Sequence, residues 1–300
     1  MMLDVTPELL RQMPLPDPGE GDKRARGNVL IIGGSEEVPG AALLAGVSAL
    51  RAGAGRLQIA TCASNASALA VAMPEALVTG LPETPSGGID SCAIESLKPR
   101  LARTDCVLLG SGLNDGEQLS ELARSILEIA PPELTLVFDA GAIKDLHAAK
   151  DLLHARGGQS ILTPHAGEMA GLMGMKRDDV EADPARIAHQ AALAFNAVVT
   201  MKGACTYIAP SSGDTAACRA GNVGLATSGS GDVLAGIISG LAARGAQPFT
   251  ACCWGVLLHA TAGERLAERI GPLGYLAREL PGEIPHIMGE LSRSPSRSGD

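Results

Sequence analysis

The richest chemistry in this sequence lies in Gly221-Asn-Val-Gly-Leu-Ala-Thr-Ser-Gly-Ser-Gly-Asp232, which runs straight into the apolar stretch Val233-Leu-Ala-Gly-Ile-Ile238. A loop with four glycines opens onto a helix there. Gly229 and Gly231 have access to backbone angles closed to other residues, so consecutive N–H groups can point into one concavity. The helix behind adds orphan amides and the positive end of its dipole. Such a site suits a phosphate, and Asp232 stands beside it as a carboxylate able to take a proton from an attacking hydroxyl. An Asp before a helix more often does nothing but cap it. Capping needs no glycine-rich loop in front, and that favours the phosphate reading.

A second segment, Leu162-Thr-Pro-His-Ala-Gly-Glu168, ends a β-type run and follows it with His165 and Glu168. Ligands of open α/β sheets bind at the carboxyl ends of strands, so His165 is a candidate ligand contact. The plainer reading is a turn with a helix-start Glu. The pair does not fit HExxH, and no zinc is expected. Lys202-Gly-Ala-Cys-Thr206 joins a strand to a hairpin; Lys202 could pair with a phosphate there and Thr206 donate to one. Asp139 ends Val137-Phe-Asp139 at another carboxyl end, where it could meet ligand or a metal's shell. Gly33-Gly-Ser35 before Pro39-Gly-Ala-Ala42, and Gly110-Ser-Gly112 after Val107-Leu-Leu109, are two further glycine openings behind strands. Openings on successive strand ends converge on one crevice.

Other signatures fail. There is no GxxxxGK[ST], Leu234 stands where the third glycine of GxGxxG is required, and no GxSxG elbow occurs. Lys and Arg number 24 against 33 Asp and Glu, net −9, with no basic run. With aromatics at 2%, stacking platforms are few as well, so nucleic acid is not an expected partner. The seven cysteines form no CxxC and several sit in apolar runs, as suits reduced thiols of a cytoplasmic protein. No secretory apolar core opens the chain, and the longest apolar stretches are too short to cross a bilayer, so no membrane is expected.

Bringing these groups together requires strands whose carboxyl ends share one edge. Short runs apolar on both faces, at 29–33, 57–61, 106–110, 134–140, 160–163, 197–202 and 206–209, read as strands of a buried sheet. Helical runs at 41–52, 117–130, 184–195, 232–244 and 250–269 alternate with them. The alternation predicts a three-layer α/β/α fold with a mostly parallel central sheet. After Lys202, the turn Ser211-Ser-Gly-Asp214 predicts an antiparallel hairpin in the C-terminal part. A hydrophobic fraction of 46% supplies an ample core, built from Ala, Val, Leu and Ile. Residues 1–26 read as an extended, proline-rich lead-in, 27–290 as a single catalytic domain and 291–300 as a disordered tail.

On these segments the chain resembles the ribokinase-like superfamily and, within it, the ADP-dependent NAD(P)H-hydrate dehydratases. The resemblance runs from Gly27 to Met288. It rests on Val29-Leu-Ile-Ile-Gly-Gly-Ser35, Gly40-Ala-Ala42, Ala49-Leu-Arg-Ala-Gly-Ala-Gly55, Thr163-Pro-His-Ala-Gly-Glu168, Lys202-Gly-Ala204 and Ser230-Gly-Asp-Val-Leu-Ala-Gly236. His259 with Ala262-Gly263 matches the family's C-terminal helix. The resemblance implies a ribokinase-like fold, with Asp232 as the catalytic aspartate at the substrate. It implies that Lys202, Gly203, Ala204, Cys205, Thr206, Ser230 and Gly231 bind the adenine nucleotide. Ala41, Ala42, Gly112 and His165 would contact the hydrated nicotinamide.

The resemblance also implies ADP or ATP as co-substrate, Mg²⁺ (with Glu168 the one side chain nominated for it) and a homo-oligomer such as a homotetramer. The implied reaction phosphorylates the ring hydroxyl of hydrated NADH or NADPH and eliminates phosphate, repairing the metabolite. A kinase of the same fold acting on a vitamin or sugar alcohol, and a nucleotide-binding regulator without turnover, are the alternatives. Five positions depart from the family pattern: Ser228 stands for Gly, Ser230 for a Thr whose hydroxyl it keeps, Gly141 for a second Asp, Ser111 for the Pro of Gly-Pro-Gly, and Cys205 for Gly. No second domain's worth of sequence is left for the family's epimerase partner, so a stand-alone form is expected.

Overall fold

The computed structural model describes residues 2–17, 19, 23, 25–114 and 116–292. The strands are β1 (Met2–Asp4), β2 (Asn28–Ile32), β3 (Arg56–Cys62), β4 (Ala76–Leu81), β5 (Cys106–Leu109), β6 (Thr135–Phe138), β7 (Ser160–Leu162), β8 (Val198–Met201), β9 (Thr206–Ala209) and β10 (Thr215–Cys218). All join one sheet, ordered β1-β10-β9-β8-β7-β6-β5-β2-β3-β4. From β4 to β8 every neighbouring pair is parallel. β9 runs antiparallel to both β8 and β10, and β1 closes that edge parallel to β10. The mostly parallel sheet with its late hairpin is the architecture the sequence predicts.

The first helices are α1 (Pro7–Gln12), α2 (Pro39–Arg51), α3 (Ala63–Ala72), α4 (Ile94–Leu101), α5 (Glu117–Ile129) and α6 (Lys150–Ala155). They are followed by α7 (Ala166–Met173), α8 (Arg177–Ala182), α9 (Pro184–Phe195), α10 (Ser230–Ala243), α11 (Pro248–Arg269) and α12 (Leu280–Ser292). Strand side chains alternate between two cores. Val29, Ile31, Cys106 and Leu108 pack with α2, α10, α11 and α12 on one face. Leu30, Ile32, Val107 and Leu109 pack with α4, α5, α7 and α9 on the other. Both faces are covered, which is why these strands read as continuous apolar runs.

A core poor in aromatics is filled by close backbone approach instead. A Cβ on Gly236 would lie 2.7 Å from Ala45 Cα, and one on Gly240 2.8 Å from Ala49 Cα. Helices α2 and α10 are therefore packed nearly backbone to backbone.

Three expectations need correction. The lead-in is not simply extended: β1 pairs with β10, and α1, capped by Thr6 and started by Pro7, buries Leu10 completely. Prolines there serve a helix start, not a linker. The sequence reading also lacks β1, β4 and β10, since a three-residue strand, a half-exposed edge strand and an alanine-rich one carry little β signal. Of the expected tail, Leu291 and Ser292 finish α12, while 293–300 lie outside the described residues.

Candidate active site

Five adjacent parallel strands, β2, β5, β6, β7 and β8, end on the same edge. They deliver Gly33-Gly-Ser35, Gly110-Ser-Gly112, Asp139, Thr163-Pro-His165 and Lys202 side by side. The turns interlock: Gly34 N–H donates to Ser111 O at 2.8 Å and Ser35 N–H to Gly112 O at 2.9 Å. Gly112 has φ +68°, and a Cβ there would lie 2.6 Å from Ala41 Cβ and 2.6 Å from Val38 O. Ala41 and Ala42, both buried, form the first turn of α2 directly behind it.

At the centre is Lys202. Its Nζ donates to Asp139 Oδ1 at 2.8 Å and lies 3.7 Å from Glu168 Oε2. Thr163 Oγ1 donates to the same Asp139 oxygen at 2.6 Å. The Asp139 side chain is 3% exposed and that of Lys202 19%, so the pair is sheltered with one side open. Burial works against the ammonium, but Asp139, Glu168 and, more weakly, Asp232 outweigh it and hold its pKa above the ordinary lysine value.

The glycine loop arrives from the opposite core. Gly229 takes φ +87° as the N-cap of α10, so Ser230, Gly231 and Asp232 form the first turn, two residues earlier than the sequence suggests. Gly231 is accordingly helical; among the loop's last four residues only Gly229 has a left-handed backbone. A Cβ on Gly231 would lie 3.6 Å from Lys202 Nζ, which places the helix start against the ammonium. Ser230 N–H is committed to Thr227 O and Val233 N–H to Gly229 O. Between them the amides of Gly231 and Asp232 have no backbone acceptor among the described residues. Two orphan donors, a dipole end and a lysine make an anion site.

Burial, and then the charge of Asp139, push the Asp232 carboxyl up to about 6; the Ser111 hydroxyl and Lys202 pull against them without cancelling. A carboxylate so poised is ionised at neutral pH and still basic enough to accept a proton.

The other expected residues are placed as follows. His165 is the N-cap of α7, with Nδ1 accepting from Gly167 and Glu168 N–H at 3.0 and 3.2 Å. The Glu168 carboxylate returns the bond, accepting from His165 N–H at 2.7 Å. Both residues therefore do the capping of the plainer reading, while the His165 ring also lines a pocket of about 540 Å³ with Lys202, Gly203, Ala204, Cys205 and Tyr207. Thr206 starts β9 and is not among that pocket's lining residues.

The Ser230 side chain is turned inward, its Oγ 3.0 Å from His259 Nε2 on α11. Burial holds His259 down to about 4, so the imidazole is neutral at pH 7. Three partners were not legible in the sequence: Thr163, the inward role of His259, and Ser111. Only their position at strand ends, or on the last long helix, signalled them.

Glu168 is engaged at one oxygen, Oε2, which accepts a backbone N–H and lies 3.7 Å from the Lys202 ammonium. Among the described residues no group of three or more His, Cys, Asp and Glu could hold a metal ion. No described helix is long and apolar enough to cross a membrane.

The family model for NAD(P)H-hydrate dehydratase matches residues 29–286. The chain is 48% identical over 289 residues, 96% of its own length and 97% of the relative's, to an ADP-dependent (S)-NAD(P)H-hydrate dehydratase of Xanthomonas campestris. It is 37% identical to a bifunctional NAD(P)H-hydrate repair enzyme of Moorella thermoacetica, covering 90% of this chain but only 51% of that protein. Among solved structures, the ADP/ATP-dependent NAD(P)H-hydrate dehydratase of Bacillus subtilis, co-crystallised with ATP/Mg²⁺, superposes with a TM-score of 0.80 at 26% identity, covering 97% of this chain and 99% of that one. The hydroxyethylthiazole kinase of Pyrococcus horikoshii shares the fold alone, with a TM-score of 0.59 at 17% identity. A glycine loop on α10, a lysine at the end of β8 and the match along nearly the whole domain agree, and the chain belongs to the NAD(P)H-hydrate dehydratase family.

Proposed function

We propose that this protein dehydrates hydrated NADH and NADPH back to the reduced cofactors at the expense of an adenine nucleotide, with Asp232 as the base. The observation that carries the proposal is the first turn of α10: two orphan amides beside Lys202 Nζ, with a carboxylate pushed up to about 6 in the same turn. The names of the Xanthomonas relative and the Bacillus neighbour support the substrate and the nucleotide dependence.

Hydroxide on the hydrated ring is a poor leaving group. The amides of Gly231 and Asp232 and the Lys202 ammonium hold the terminal phosphate, and Asp232 takes the proton of the ring hydroxyl as its oxygen attacks phosphorus. The bond to the nucleotide breaks as the new O–P bond forms. The ring nitrogen's lone pair then expels phosphate, and loss of a proton from the neighbouring carbon restores the double bond. Gly203, Ala204 and Cys205 would seat the nucleotide along the pocket beside Lys202, with Thr206 following them at the start of β9. Ala41, Ala42, Gly112 and His165 would border the ring.

Magnesium enters this proposal as the counter-ion of the nucleotide, since a small hard cation is commonly held by substrate phosphates and water. A homo-oligomeric assembly in the cytoplasm completes it, supported by the family resemblance and by seven free cysteines.

Incubation with hydrated NADPH and ADP or ATP should restore the near-ultraviolet absorbance of the reduced ring and release inorganic phosphate. Asp232→Asn should lower that rate by about 10²–10⁴. Accumulation of a stable phosphate ester would instead make the protein a kinase.

A further inference from the structure

Two cavities open at the strand ends, on opposite sides of β6 and β7 along the sheet. One is the pocket over the β8–β9 turn that Lys202 lines. The other, of about 510 Å³, is walled by Ser35 after β2, by residues within 84–90 beyond β4 and by residues within 113–119, which lead from β5 into α5. The backbone joins it to the candidate active site. Ser35 N–H donates to Gly112 O at 2.9 Å, and Glu36 N–H donates to Gly87 O at 2.9 Å. Leu113, the residue after Gly112, forms part of the wall.

The proposed reaction brings together two molecules that each carry an adenosine, the phosphoryl donor and the hydrated dinucleotide. The donor fills the pocket beside Lys202. A ring bordered by Gly112 therefore leaves the adenylate half of its dinucleotide to lie on the side of Ser35 and Leu113. A volume of about 510 Å³ is of the size that small-molecule sites have. Charge divides the two cavities in the same way. Lys202 and Arg177 face the first. The second has Asp90 and Glu117 on its wall and no lysine, arginine or histidine among its lining residues. A nucleoside polyphosphate suits the cationic cavity. The pyrophosphate of a dinucleotide is substituted at both ends and carries less charge. A 2′-phosphate would add a charge of about −1.5 to −2 at pH 7 against two carboxylates.

We propose that this second cavity seats the adenylate half of the hydrated dinucleotide, and that Asp90 and Glu117 make the protein prefer hydrated NADH to hydrated NADPH. The inference rests on the dehydration proposed above and adds to it a subsite and a selectivity. Asp90 spends one oxygen on Cys92 N–H at 2.8 Å, which holds its carboxylate in place. Glu117 is the first residue of α5, and Gly116 before it is extended, with φ 160°. Gly116 also lines the cavity. A Cβ there would meet no described atom within 4 Å, so a larger side chain can be built into the space without strain.

The test compares kcat/KM for hydrated NADH, hydrated NADPH and hydrated reduced nicotinamide mononucleotide, which lacks the adenylate half, with ADP saturating. Wild type should favour hydrated NADH over hydrated NADPH by about tenfold, and Glu117→Lys should erase or reverse that preference. Gly116→Trp should lower the ratio of hydrated NADH to the mononucleotide by about tenfold or more. Both substrates are read in the same variant, so a folding defect cancels from the ratio. An unchanged ratio in Gly116→Trp overturns the subsite. Equal use of the two dinucleotides by wild type, or a preference that Glu117→Lys does not move, overturns the selectivity. If wild type restored the reduced ring from none of the three, the dehydration itself would fall, which is a separate result.

Discussion

At neutral pH the Asp232 carboxylate is ionised although burial and the Asp139 charge both oppose it. Its pKa is raised from 3.8 to about 6, so folding carries a penalty that is complete above about pH 6, fades as the folded carboxyl takes up its proton, and is gone below the unfolded value. Asp232→Asn should therefore stabilise the protein by about 1–3 kcal/mol at pH 8 while slowing turnover by about 10²–10⁴, and that gain should vanish near pH 4. Urea midpoints at the two pH values decide it; an equal gain at both would mean the effect is not electrostatic. The same value places the acid limb of wild-type kcat/KM near pH 6. Lys202 shows why such a residue is legible in part. Its place at a strand end is local and readable, whereas its bond to Asp139, 63 residues away, exists only once β6 and β8 share a sheet.

Helices α2 and α10 set the distance between the alanines expected at the substrate and the turn carrying Asp232. Their contact is made by Gly236 and Gly240 against the backbone of Ala45 and Ala49, and the Leu44 side chain of α2 lies against Gly229, whose φ of +87° favours glycine. Glycine to alanine inside a helix ordinarily stabilises by about 1 kcal/mol. Here Gly236→Ala should do the reverse, destabilising by about 1–3 kcal/mol as α10 is pushed off α2. Thermal unfolding with parallel kinetics checks this, and a variant as stable as wild type would show that the helices have slack. The elements legible in the sequence are those whose own pattern carried them: α5, α10 and α11 by length and apolarity, β2, β5 and β6 by unbroken apolar runs. Helix α4 is interrupted by Pro99 and α12 by Pro285, and β4 borders solvent with Leu77 54% exposed. Local sequence argues against each, and packing overrides it.

Across the whole molecule the N-terminal arm ties the sheet's edge to the helix that backs the active site. Val5 N–H donates to Ala217 O at 2.9 Å as β1 ends, and Trp254 Nε1 on α11 donates to Met13 O at 2.8 Å. Five residues beyond Trp254 on the same helix, His259 holds the Ser230 hydroxyl at the start of α10. Removing residues 2–13 would uncover the β10 edge, empty the place of fully buried Leu10 and leave the indole N–H of a 1% exposed tryptophan without its acceptor. The orphaned indole alone is worth about 1–3 kcal/mol and the lost leucine about 2–5. The truncated protein should therefore unfold at a clearly lower denaturant concentration. Because the chain has one tryptophan, its emission reports this junction directly and should shift to longer wavelength before unfolding begins. If the truncated chain kept both its emission maximum and its midpoint, the arm would be an ornament of the sheet edge, and α11 would hold His259 in place without it.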